Sequence, residues 1–129
     1  MDYGGVLTDG PDVLALVRRA RAAGVATALV SDADALPADC ADLFDVVVLG
    51  PALGVRKPDP EVFRRVAGRL GLPPSQCVVV DDLRANVRGA VAAGAVAVHH
   101  LDAGTTVAEV EILLDLPPQQ AGDRSVPGR

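Results

Sequence analysis

The stretch that most constrains this chain runs from Cys77 to Gly94. Cys77-Val78-Val79-Val80 is a short apolar run rich in β-branched residues and reads as a buried strand, with Asp81-Asp82 where the strand ends. Leu83 to Ala93 then reads as a helix closed by Gly94. A strand apolar on both sides must be covered on both, which is the condition of a parallel sheet between layers of helix. In such sheets ligands sit outside the carboxyl ends of the strands. Two adjacent acids there are costly unless a cation or a proton neutralises them. A hard divalent cation such as Mg²⁺ suits oxygen ligands of this kind. The same acids could instead favour the start of the next helix through its dipole, and the pair by itself leaves both readings open.

The rest of the chain repeats the pattern. Residues 25–30, 45–49 and 95–98 read as further apolar strands, and Met1 to Leu7 is an apolar start interrupted by Gly4-Gly5. Helices are expected after Pro11 up to Gly24, over Glu61 to Leu70, and from a Thr105 or Thr106 cap through Leu114, with Val107, Val110, Leu113 and Leu114 on its apolar face. Residues 33–44 read as a short helix or two turns around Pro37. The fold class is therefore α/β, a doubly wound, Rossmann-like parallel sheet of about five strands with helices on both faces. Residues 1–116 form the domain, and the Pro-, Gly- and Gln-rich residues 117–129 are expected to be a disordered tail. Tyr3, Phe44 and Phe63 are the only aromatics, so Ala, Val and Leu must build the core.

Several function classes fall away. No apolar run reaches membrane-spanning length and no leader-like segment opens the chain, so a cytoplasmic protein is expected. A net charge of -5 without a basic block argues against nucleic acid and anionic membranes as partners. Cys40 and Cys77 are expected to be buried free thiols. Of twelve basic residues only Lys57 is lysine. A compact ammonium and a planar guanidinium are not interchangeable at a tight anionic site.

The strand ends thus carry, in chain order, Asp2, Ser31, the loop with Lys57, and Asp81-Asp82. A nucleophilic carboxylate, a hydroxyl donor, a cation and metal-binding acids form a coherent set for phosphoryl transfer. Asp2-Tyr3-Gly4-Gly5-Val6-Leu7, Val30-Ser31, Gly54 to Phe63 and Val80 to Ala90 resemble the four ordered motifs of the haloacid dehalogenase-like hydrolase superfamily over about residues 1–115. The resemblance implies a phosphatase in which Asp2 is the nucleophile and forms an aspartyl-phosphate. It implies that the Gly4 carbonyl and Asp82 ligate Mg²⁺, with Asp81 acting directly or through water. Ser31 would bind the phosphate of a phosphorylated substrate, and Lys57 would steady both nucleophile and phosphate.

Three departures qualify what the resemblance implies. Family phosphatases carry a second Asp two residues after the nucleophile, as general acid and base, and here that residue is Gly4. Loss of positioned proton transfer costs roughly 10²–10⁴-fold in rate, which keeps a catalytically weak or inactive binding or regulatory module as the rival reading. Only 28 residues separate Asp2 from Ser31 and 25 separate Ser31 from Lys57, too few for the cap domain of most family members. A capless site implies a large substrate, or a second subunit or partner protein as its lid. Finally, the family's first strand is central and precedes the nucleophile by several residues, whereas only Met1 does so here. An upstream segment is expected, and the mass of the natively produced chain would test it. A receiver-like phospho-acceptor shares the sheet but places its acid pair early and its acceptor in mid-chain, the reverse of this order.

Overall fold

The structure, a computed structural model, describes residues 1–118. Its elements alternate as expected: α1 (Asp12–Ala22), β1 (Ala28–Ser31), α2 (Ala38–Ala41), β2 (Val46–Leu49), α3 (Pro60–Arg69), β3 (Val78–Asp81), α4 (Arg84–Ala92), β4 (Val96–His99) and α5 (Ala103–Leu113). Alternation along each strand sorts its side chains into two layers. Leu29, Val80 and Val98 pack with Val13, Leu16 and Val17 of α1 and Val110 of α5. On the other face Val30 and Val48 meet Val62 and Val66 of α3, while Phe63 packs with Ala90 of α4 and Ala95. Helices therefore cover both faces.

The sheet departs from the expected five strands. Among the described residues there are four, in two parallel pairs, β1 with β2 and β3 with β4. Between the pairs, the main chain of Met1 and Asp2 supplies the ladder-type bonds seen among the described residues. The Val30 amide donates to the Met1 carbonyl (2.9 Å), the Met1 ammonium to the Ala28 carbonyl (3.2 Å), and the Asp2 amide to the Val80 carbonyl (3.0 Å). These are parallel-ladder bonds, but two residues before the Tyr3–Leu7 turn are too few to make a strand.

Beneath Met1 the cleft between the pairs is open, with a cavity of about 460 Å³ lined by Ala26, Ala28, Cys77, Val78, Leu70 and Leu114 among others. The ladder fixes what faces it. Thr27 and Ser31 carbonyls bond to the β2 side, and Cys77 and Asp81 carbonyls to the β4 side. By alternation, Ala28 and Val78 direct their main-chain groups towards the cavity.

Smaller differences have local causes. The cap of α5 is Asp102, whose carboxylate accepts from the Thr105 amide (2.8 Å), so neither threonine caps it. Thr106 takes an inward position instead, and Leu113 is 45% exposed. Cys40 is buried but Cys77 only half-buried, because it borders the cavity; both are free. Leu116 is buried and the Pro117 carbonyl accepts from Arg19 (3.1 Å). Of the expected tail, residues 119–129 lie outside the described residues. No helix among those described is long and apolar enough to cross a membrane.

Candidate active site

Chain topology brings the carboxyl ends of β1 and β3 to either side of Asp2. Lys57 arrives from the loop between β2 and α3, held against α4 where Gly89 meets the Pro58 carbonyl so closely that a Cβ would overlap it. The Lys57 side chain is 3% exposed, and its ammonium donates to Asp2 Oδ1 (2.9 Å), Asp81 Oδ2 (2.8 Å) and the Val30 carbonyl (3.0 Å). An ammonium has three hydrogens, and all three are used. A guanidinium fork could not meet three acceptors converging on one point, which gives a physical reason for the chain's single lysine. Burial alone would lower the Lys57 pKa, but the hydrogen bonds and charges of Asp81 and Asp2 outweigh it and hold the ammonium above its ordinary value.

Asp81 is equally committed. Its Oδ1 accepts from the Leu83 amide (3.0 Å) and Asn86 Nδ2 (3.2 Å), and its Oδ2 accepts from Asn86 Nδ2 (3.1 Å) as well as Lys57. Asn86 comes from the first turn of α4 and is itself 5% exposed. Asn86 thus grips both oxygens of Asp81.

Asp2 is the strained member. Burial raises its pKa to about 6, against the lowering effect of Lys57, and Asp81 and Asp82 push it further up. Lys57 engages one of its oxygens, leaving the other on the side of Asp82. Carboxylate oxygens of Asp2, Asp81 and Asp82 lie within 4.8 Å of one another. Three acids facing one lysine leave a net negative, oxygen-only cluster whose neutralisation would relieve the raised Asp2, and a hard divalent cation fits that donor set.

The remaining sequence candidates sit around this cluster. Gly5, at φ +78°, brings its backbone so near Asp82 that a Cβ would fall on the carboxylate, so only glycine serves there. Gly4, at φ -65° and ψ 130°, is exposed with open space where a side chain would go. Ser31 is 4% exposed at the end of β1, and its Oγ accepts from the Ala33 amide (3.1 Å), the local turn that strand-end serines often make. Among the described residues, α1 occupies the chain between Asp2 and β1, and α2 and β2 that between Ser31 and the Lys57 loop.

Residues 4–94 match the family described as haloacid dehalogenase-like hydrolase. The chain is 36% identical over 94 residues to Protein CbbY of Rhodobacter capsulatus, covering 65% of this chain and 41% of that protein. It is 30% identical over 102 residues to Phosphatase MT3486 of Mycobacterium tuberculosis, covering 73% and 47%. It thus spans less than half the length of either relative. Among solved structures, an uncharacterised protein from Corynebacterium glutamicum superposes with a TM-score of 0.78 at 36% identity, covering 90% of this chain and 93% of that one.

Proposed function

We propose that this chain, which belongs to the haloacid dehalogenase-like hydrolase family, carries the site of a Mg²⁺-dependent phosphatase working through an aspartyl-phosphate on Asp2. The observation that carries the reading is the buried Lys57 ammonium tying Asp2, Asp81 and the end of β1 together through three hydrogen bonds. A lysine so placed keeps one Asp2 oxygen fixed while the other stays available for attack.

The Asp2 carboxylate attacks the phosphorus of a phosphomonoester as the ester P–O bond breaks, and the alkoxide leaves with a proton taken from solvent. Water then attacks the phosphorus of the aspartyl-phosphate, releasing inorganic phosphate and restoring Asp2. Asp2, Asp82 and the Gly4 carbonyl would hold Mg²⁺, with Asp81 occupied mainly by Lys57 and Asn86 and reaching the ion at most through water. Bound there, the cation screens the charges of carboxylate and phosphate from each other. Ser31, whose hydroxyl hydrogen is free to donate, would hold a phosphate oxygen. The exposed acid cluster rim would be covered by a large phosphorylated substrate, or by a second subunit or partner protein. Two free thiols suit a cytoplasmic setting.

One observation favours a second reading. No acid stands at Gly4 to protonate the leaving group, so the fold and cation site would serve a binding or regulatory module. Hydrolysis of p-nitrophenyl phosphate by the full chain, with Mg²⁺ present or chelated and beside Asp2→Asn, separates the two. Turnover lost in both controls supports the enzyme; none from the folded wild type supports the module. Gly4→Asp sharpens the result, because Gly4 already has backbone angles open to any residue and space for a side chain. A gain of roughly 10²-fold or more is expected from a restored proton donor.

A further inference from the structure

His99 closes β4 and His100 follows it, and the extended chain turns their side chains to opposite faces. His100 is 4% exposed and bound at both ring nitrogens, Nε2 to Asp9 Oδ2 (2.8 Å) and Nδ1 to Thr106 Oγ1 (2.7 Å). It joins β4 to α5 and to the loop after the Tyr3–Leu7 turn. His99 does something different. Its Nε2 lies 2.9 Å from the main-chain carbonyl of Asp82. A carbonyl only accepts, so Nε2 carries the hydrogen and donates it.

The two acids at the end of β3 are held by different means. Asp81 is fixed through its carboxylate, by Lys57, Asn86 and the Leu83 amide. Asp82 is fixed through its main chain, by His99, while its carboxylate rests against the Gly5 backbone. Anchoring that carbonyl holds the main chain of Asp82, and with it the Cα–Cβ bond from which the carboxylate projects towards Asp2. We propose that His99 is a positioning residue for the cation site, setting the direction in which Asp82 meets Asp2 by holding the Asp82 carbonyl. This rests on the reading of Asp2 and Asp82 as cation ligands.

The test is calorimetric titration of Mg²⁺ into the full chain, as wild type, His99→Gln and His99→Ala, with the metal-free melting temperature of each. Glutamine places an N–H donor at nearly the same reach. Outer-shell partners of metal ligands typically govern about 10–100-fold in affinity. Mg²⁺ affinity is expected to fall about 10-fold in His99→Ala, to stay close to wild type in His99→Gln, and to change more than the metal-free melting temperature accounts for. Should the alanine variant not fold, His99→Leu keeps the bulk and removes the donor. Wild-type affinity in a folded variant lacking the donor overturns the proposal, as does an equal loss in His99→Gln. A wild-type chain that takes up no Mg²⁺ overturns the cation reading and this inference with it, and the wild-type titration alone identifies that outcome.

Discussion

The cleft between β1 and β3 has two halves that meet at Met1-Asp2, and they are built in opposite ways. Above, the Asp2 and Asp81 carboxylates are buried with one ammonium beside the half-buried Asp82, and every ammonium hydrogen and both Asp81 oxygens have partners. Below, strand edges face an apolar cavity of about 460 Å³, and on that side the Met1 ammonium at the Ala28 carbonyl is the main-chain partner seen for Ala28 and Val78 among the described residues. The upper half depends on fixed geometry, and the lower half is open among the described residues. The Met1-Asp2 stub thus hangs from three main-chain bonds and one lysine, so the charges have to hold the strand stub as much as the stub holds the charges.

The largest effect should come from breaking the upper half. Lys57→Met removes the ammonium and leaves Asp2 and Asp81 buried without a counter-charge. Stranding a buried ionic partner costs about 3–5 kcal/mol. Urea denaturation should show that loss, and Mg²⁺ should recover part of it, since a cation would again neutralise the acids. A variant as stable as wild type would mean that the cluster does not hold Asp2 in place.

Filling the lower half should act in the other direction. Extending the chain before Met1 with four apolar, β-branched residues offers a strand to both open edges. Each buried valine-sized side chain contributes about 1.5–3 kcal/mol, offset by about 1–2 kcal/mol for each ordered backbone unit, so a net gain of about 2 kcal/mol is expected. The readout is a melting temperature raised by several degrees, with slower exchange of the Ala28 and Val80 amides. A Gly-Ser extension of equal length is the control. Equal behaviour of the two extensions would show that the cavity does not seat a strand.

A finer cut separates the donors of Asp81. Asn86→Leu keeps the volume and removes Nδ2, leaving Asp81 to Lys57 and the Leu83 amide. Unsatisfied buried acceptors cost about 1–3 kcal/mol, and the lower figure is expected because two donors remain. Chemical denaturation beside Lys57→Met would rank the two.

The difference between the halves also explains what the sequence revealed. Asp81-Asp82 and Lys57 were legible because their residue types are confined to strand ends and a glycine- and proline-rich loop, and chemistry restricts what such groups do. The five-strand sheet was legible as a pattern but not as a count, because pairing needs a stretch on both sides of each edge and Met1-Asp2 is too short to supply one. The role of Asn86 is not legible from sequence, since a helix-start Asn can pack, cap or orient a neighbouring acid. His99 carried no signal: its partner is a main-chain carbonyl, which looks the same in every residue. The cap of α5 went to Asp102 instead of a threonine because two residue types able to cap stand three apart, and only the backbone angle decides between them.

A last prediction joins the halves through pH. Burial lowers the Met1 ammonium from its ordinary value near 8 to about 6, while burial raises Asp2 to about 6. A depressed group contributes stability that is present above its unfolded value and lost as pH falls to the folded one, so Met1 weakens the metal-free protein from about pH 8 down to 6. A raised carboxyl does the reverse: its contribution is fully present below the unfolded value near 4 and is lost as pH rises through about 6. Together they place a shallow minimum of stability near pH 6. It should be smaller than the loss in Asn86→Leu, because both groups lie in the field of Lys57 and Met1 borders the open cavity. Each limb can be removed separately. The apolar extension turns the Met1 ammonium into an amide and should flatten the limb above pH 6, whereas Asp2→Asn should flatten the limb below it. Melting temperatures across this range for the three chains would show whether the strand stub and the nucleophile report on one another, as their shared residues require, or titrate as strangers.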